Sequence, residues 1–319
     1  MKNNLFRRAL IPALFCGCLV LMGACNHNNP APPINASTST IGYVLANGAN
    51  TTIFNSAVLK AGLDSVFTSP AIFTLFVPNN DACVQSGFTQ DSVNNFTPAQ
   101  ARDWVLYQTY AGVALTLESF IGKTEEKLIM ANGDSIFVTG DSNRTFVNGF
   151  QTYNSEITAS NGQMLALQNA LRPPTQNLYQ IVSSDTSYSF LNQAILLATP
   201  VPDSLNQLLS TGGPFTFLAP DNDAFRNLGY STPASLSAVS PDSLRTLVLV
   251  GLIPQRLFSY DIADSSTYQT VNDSTLIFYF RGIANAVQIV GDTTTSNVIS
   301  IGYMGTNGVL FKMDSVIGR

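Results

Sequence analysis

Phe73-Thr74-Leu75-Phe76-Val77-Pro78-Asn79-Asn80-Asp81-Ala82 returns later in the chain as Phe215-Thr216-Phe217-Leu218-Ala219-Pro220-Asp221-Asn222-Asp223-Ala224. From 73 to 215 the displacement is 142 residues, the size of a domain rather than of a solenoid repeat. Each copy predicts a buried strand of aromatic and aliphatic residues, closed by Pro and then by an Asn/Asp pair able to cap a helix. A second motif also recurs. Ser160-Asn161-Gly162-Gln163-Met164-Leu165-Ala166-Leu167-Gln168-Asn169-Ala170-Leu171 is answered by Asn307-Gly308-Val309-Leu310-Phe311-Lys312-Met313-Asp314-Ser315-Val316-Ile317. Asn-Gly tolerates positive φ and makes a tight hairpin turn, and the alternation after it is that of a strand. Two ordered motifs, each present twice, predict a duplicated domain.

The first motif resembles the opening signature of the fasciclin domain family, Thr-x-Phe-Ala-Pro-x-Asn-x-Ala-Phe, and the second resembles its closing one. The first repeat departs at Gln168, where the second keeps Asp314. The resemblance implies two tandem fasciclin-like domains, residues 39–172 and 173–319, each a β-sandwich or wedge. It implies a mainly β chain with flanking helices, in the α+β class. Fasciclin domains usually carry a Tyr-His pair between the signatures, associated with integrin-type adhesion and with internal packing. Setting Arg102 against Arg245 puts Tyr107-Gln108 and Val250-Gly251 there, so both repeats lack the His. The role implied is non-catalytic adhesion or ligand binding, not of the animal integrin type.

Each half opens on helical spacing: Ile41, Val44, Leu45, then Phe54, Ala57, Val58, Leu59, and later Leu178, Ile181, Val182, then Phe190, Leu191, Ala194, Ile195. Thr97-Pro98 and Ser240-Pro241 announce helices with Pro at the first helical position. Trp104-Val105-Leu106 and Leu247-Val248-Leu249 are expected to run into strands. Further strands are expected at 135–138, 145–147, 276–280 and 287–290, with hairpins at Asn132-Gly133 and Asn148-Gly149. Arg172-Pro173-Pro174-Thr175 marks the boundary between the halves.

The first 24 residues predict a signal peptide. Lys2, Arg7 and Arg8 precede an apolar run from Ala9 to Leu21, and Leu21-Met22-Gly23-Ala24-Cys25 resembles a bacterial lipobox. Lipidation is expected at Cys25, which would anchor the chain to a membrane without spanning it. Residues 25–38, polar and Pro-rich, are expected to be a flexible tether. No Asp follows Cys25, which favours the outer membrane, surface-exposed or periplasm-facing. Of the 4 cysteines only Cys83 would remain in the folded part. Its counterpart is Phe225, so it is expected to be a small buried hydrophobe.

Without Lys2, Arg7 and Arg8, 12 basic residues face 20 acidic ones, and no basic stripe suits nucleic acid. Charged residues make up 11% of the chain, which leaves a neutral, hydroxyl-rich surface suited to an extracellular glycan or an envelope protein. The single histidine, His27, falls in the tether, so the fold lacks the imidazole of a catalytic triad or a His-bearing zinc site. No Gly-rich phosphate loop follows a predicted strand, and no cofactor or metal is expected. Asp221-Asn222-Asp223 lacks the Gly and distal Glu of a calcium loop. The surfaces singled out for ligand binding are Asn79, Asn80, Asp81 and Asp221, Asn222, Asp223, with the segments around Tyr107 and Val250. For all of them a structural role is the simpler reading. Asp-Ser-aliphatic tripeptides, from Asp64-Ser65-Val66 to Asp314-Ser315-Val316, resemble bacterial O-glycosylation acceptors but equally suit caps and turns. Two rival functions stay open: a carboxylate-based hydrolase and a structural envelope spacer.

Overall fold

The computed structural model describes residues 38–198, 204–281, 284–289 and 295–318. The expected signal peptide, Cys25, the tether up to residue 37, Asp203 and Val290 lie outside the described residues.

Each repeat builds one seven-stranded sheet. The first comprises β1 (Phe73–Pro78), β2 (Thr109–Ala111), β3 (Glu126–Ile129), β4 (Ser135–Gly140), β5 (Thr145–Val147), β6 (Phe150–Ala159) and β7 (Gly162–Leu167). The second comprises β8 (Phe215–Pro220), β9 (Leu252–Ile253), β10 (Thr267–Gln269), β11 (Thr275–Arg281), β12 (Ala284–Ile289), β13 (Ser296–Gly305) and β14 (Gly308–Met313). Strand order is β2-β1-β7-β6-β5-β4-β3 in one and, read from the same end, β9-β8-β14-β13-β12-β11-β10 in the other. The α+β expectation holds for both.

The two motifs lie side by side. β1 runs parallel to β7 from Phe73 opposite Gly162 to Pro78 opposite Leu167, and β8 pairs likewise with β14. Every residue of β1 and β8 is buried, because the strand separates two cores. Phe73, Leu75 and Val77 face a core of helical residues that includes Phe54, Val58 and Trp104. Phe76 points the other way, toward Phe120, Ile136, Val138 and Leu165. Phe217 and Leu218 divide the second repeat in the same manner.

Local chemistry explains the joints. After β1 the Asn79 side chain accepts a hydrogen bond from Ala82 N and starts the helix Asn80–Gln85. Asp221 accepts from Asp223 N and Ala224 N to start Asn222–Asn227. Thr97 and Gln100 close a reciprocal cap on Pro98–Tyr107, and Ser240 caps Pro241–Val250. These two helices hold Trp104–Leu106 and Leu247–Leu249 throughout, and the strands start only at Thr109 and Leu252. Leu59 departs from its expected face: in the last turn of Thr52–Lys60 it is 59% exposed. Asn132-Gly133 and Asn148-Gly149 turn the β3–β4 and β5–β6 hairpins, with both Asn148 and Gly149 at positive φ.

Candidate functional site

The Asn/Asp positions after each first motif serve the fold. Asn80 accepts from Ile53 N at 3.1 Å and donates to Thr52 Oγ1 at 3.0 Å, which ties one helix start to the next. Asn222 repeats this, accepting from Phe190 N at 3.2 Å and donating to the Thr186 carbonyl at 2.8 Å. Asp221 also lies 3.4 Å from Lys312 Nζ, and Asp223 pairs with Arg226. Asp81 is exposed in the first turn of its helix. Tyr107 is not a surface residue. It is fully buried, donates to the Ser135 carbonyl, and accepts from Asn148 Nδ2 at 3.1 Å; burial pushes its phenol pKa up. Gln108 beside it and Val250 in the second repeat are buried too. Cys83 is buried, and burial pushes its thiol up to about 12. Among the Asp-Ser-aliphatic serines that are described, Ser65 is exposed and the others are half-buried.

The structure brings together a different set of residues, at the seam between the repeats. Phe137 on β4 packs against Phe258 with centroids 6.1 Å apart and reaches the core that Leu218 faces in the second repeat. Phe146 on β5 stacks on Tyr260, whose hydroxyl donates to Asp141 Oδ2 at 2.7 Å. That bond, with those from Asn143 N and Arg144, holds the Asp141 carboxyl well below the usual range. Thr139 Oγ1 donates to Asp261 at 3.2 Å, and the Arg256 guanidinium covers Phe137 at 4.1 Å. Gly149, with φ +81°, is required here, because a Cβ would stand 2.9 Å from the Phe258 Cβ and 3.2 Å from its ring.

Two acids approach each other in this seam. Burial raises both Glu125 and Asp261, the charge of Asp261 raises Glu125 further, and Arg256 opposes that. Glu125 Oε1 and Arg256 Nε are buried with no hydrogen-bond partner among the described residues. Neither acid lines the cleft described next.

That cleft opens where the repeats meet and has a volume of about 570 Å³. Asn148, Phe150 and Asn169 line it from one side, and Ile181, Tyr303 and Met304 from the other. Among the described residues, no group of three or more His, Cys, Asp or Glu could hold a metal ion, and no helix is long and apolar enough to cross a membrane.

Sequence reading missed the seam because it exists in one repeat only. Leu115 N and Leu257 N each bond the β-strand threonine, Thr74 or Thr216, which fixes the correspondence between repeats. Phe258 and Tyr260 then stand where the first repeat has Thr116 and Glu118. An aromatic in one copy opposite a polar residue in the other was the available signal.

The Fasciclin domain family model matches residues 49–173 and 192–319. Mouse Stabilin-1 is 30% identical over 150 residues, which cover 46% of this chain and 6% of that protein. Pig transforming growth factor-beta-induced protein ig-h3 is 23% identical over 293 residues, 89% of this chain and 40% of that one. The chain therefore spans under half the length of either relative. The solved FAS1 domain pair from the insect cell adhesion molecule fasciclin I aligns with a TM-score of 0.40 and 14% identity, over 82% of this chain and 95% of that one. With a match in each half, over most of the described residues, this chain belongs to the fasciclin domain family.

Proposed function

We propose that this is a lipid-anchored protein of a bacterial cell envelope whose two fasciclin domains act without catalysis, in adhesion or in binding an extracellular glycan or a partner envelope protein. The observation that carries the reading is the seam. Aromatic stacking and hydrogen bonds join the repeats and leave a cleft walled by both. A flexible spacer needs neither a shared wall nor a recess, whereas ligand sites are commonly found where domains meet. The anchor rests on Lys2, Arg7, Arg8 and the stretch Leu21 to Cys25.

A carboxylate hydrolase would need two acids facing a substrate cleft with one of them held protonated. Glu125 and Asp261 have raised pKa values, but they belong to the packing of the seam. That speaks for binding over hydrolysis.

Protease treatment of intact cells tests the reading. Digestion of the folded domains from outside is the expected outcome and supports a surface role. Protection until the outer membrane is permeabilised would place the domains in the periplasm and remove adhesion to anything outside.

A further inference from the structure

The cleft between the repeats has a definite chemistry. Its volume, about 570 Å³, falls within the ~300–1,000 Å³ span of small-ligand sites. Among the described residues that line it, two side chains are charged, and each has a partner within the fold. The Arg172 guanidinium lies 4.4 Å from the Phe88 centroid and donates to the Ser86 carbonyl at 2.9 Å. The Asp185 carboxylate accepts from Ser187 N at 2.8 Å. The side-chain amides of Gln85 and Asn169, by contrast, have no hydrogen-bond partner among the described residues. Tyr303 stands on the opposite wall, 54% exposed.

We propose that this cleft binds a neutral oligosaccharide; the proposal rests on the non-catalytic binding role argued above. A side-chain amide presents donors and an acceptor together, which matches adjacent sugar hydroxyls. A pyranose ring carries C–H bonds on its face, and these settle on the electron-rich face of an aromatic ring such as Tyr303. An anionic sugar or a phosphate would meet a single guanidinium, that of Arg172, which already covers Phe88 and bonds the Ser86 carbonyl, with the Asp185 carboxylate in the same cleft. An extended peptide draws its affinity from main-chain hydrogen bonds along a strand edge, whereas the polar lining here is dominated by side-chain amides and hydroxyls.

The test uses the full-length protein in a non-glycosidic detergent, titrated calorimetrically with cello-, xylo-, manno-, malto- and laminari-hexaose. At least one hexaose is expected to bind. Tyr303→Ala should weaken it about tenfold through loss of the stacking face, and Asn169→Ala about three- to tenfold through loss of one hydrogen-bonding group. Tyr303→Phe, which keeps the ring, should bind as wild type, and so should Tyr153→Ala, which is outside the cleft. No binding of any hexaose at millimolar concentration overturns the proposal. So does equal binding by Tyr303→Ala, or displacement of the sugar by a tryptic digest of casein. The broader reading fails separately. Cell adhesion that is lost on deleting the protein but survives Tyr303→Ala sinks the cleft alone, whereas adhesion indifferent to the deletion sinks the adhesive role.

Discussion

The ring of Tyr260 in the second repeat lies on that of Phe146 in the first, with centroids 3.6 Å apart and planes 17° from parallel. Arg144 closes over both, 5.2 Å from the Tyr260 centroid and 5.7 Å from that of Phe146. Glu118 occupies the matching place in the first repeat, so that repeat has no ring to offer to a second contact of this kind. A contact of this sort that recurred in both repeats could propagate head to tail. This one is confined to a single junction.

Tyr260→Ala should loosen the pair. The stack is worth about 0.5–1.5 kcal/mol beyond the area it buries. Urea unfolding should therefore broaden or split into two transitions, and the 172–177 connection should become easier to cleave. Tyr260→Phe keeps the ring and gives up only the part-buried hydrogen bond to Asp141, so it should loosen the pair less than Tyr260→Ala does. A single unchanged transition for Tyr260→Ala would show that the stack does not couple the repeats.

Asn161 is more than a turn residue. Buried at 2% exposure, it accepts from Ile41 N at 2.8 Å and donates to the carbonyls of Phe67 at 2.9 Å and Ser69 at 2.8 Å. Asn307 does the same with Leu178 N and the carbonyls of Leu209 and Gly212. Each therefore bolts the opening helices of its repeat to the closing hairpin. Leaving such buried groups unpaired costs about 1–3 kcal/mol apiece, so Asn161→Ala should lose about 3 kcal/mol or more. Asn161→Asp, nearly isosteric, should be at least as damaging, because a carboxylate would face two carbonyl oxygens. Chemical denaturation decides the matter, and a loss below about 1 kcal/mol would contradict the bolt.

The acids of the seam set the direction of a pH effect. Glu125 and Asp261 are both raised above their ordinary values, first by burial. A carboxyl raised in the folded state binds more protons folded than unfolded, so its contribution to stability is present below the unfolded pKa and is lost as pH rises through the folded one. Arg256 and the hydrogen bonds from Phe258 N and Thr139 offset part of this without reversing it. The junction should therefore gain stability as pH falls from neutral through the raised folded-state pKa values of the two acids. Glu125→Gln should raise Tm at neutral pH and flatten that slope. A Tm that falls for Glu125→Gln at neutral pH would mean that the charge pairs productively with Arg256.

The parts of the fold legible in the sequence are those set by neighbours along the chain. β1 and β8, the caps at Asn79, Asp221, Thr97 and Ser240, and the Asn-Gly turns all follow from local sterics and hydrogen bonding. The parallel pairing of β1 with β7 was not legible, because it joins residues such as Phe73 and Gly162 that only the whole fold brings together. The candidate site was less legible still. Asn80 and Asn222 carry groups that could bind a ligand, yet spend them on Ile53, Phe190 and Thr186. Tyr303 and Asn169 lie at unremarkable positions and acquire meaning only once the two repeats face each other across the cleft.

The proposed anchor can be tested without reference to the fold. Cys25 follows Leu21-Met22-Gly23-Ala24, and only a thiol at that position can take the acyl-glyceryl group that would mark the mature N-terminus. Buried acyl carbons contribute about 0.8 kcal/mol per CH₂, so more than one chain on a single residue gives stable attachment where one would not. Cys25→Ser should move the protein from the membrane pellet to the soluble fraction and abolish labelling by radioactive palmitate. It should leave the melting curve of the folded domains unchanged, since Cys83, the other cysteine after residue 24, is sealed in the core of the first repeat. Palmitate label that persists in Cys25→Ser would put the acyl chain elsewhere. Membrane retention without label would point to the apolar run of residues 9–21 as an uncleaved anchor.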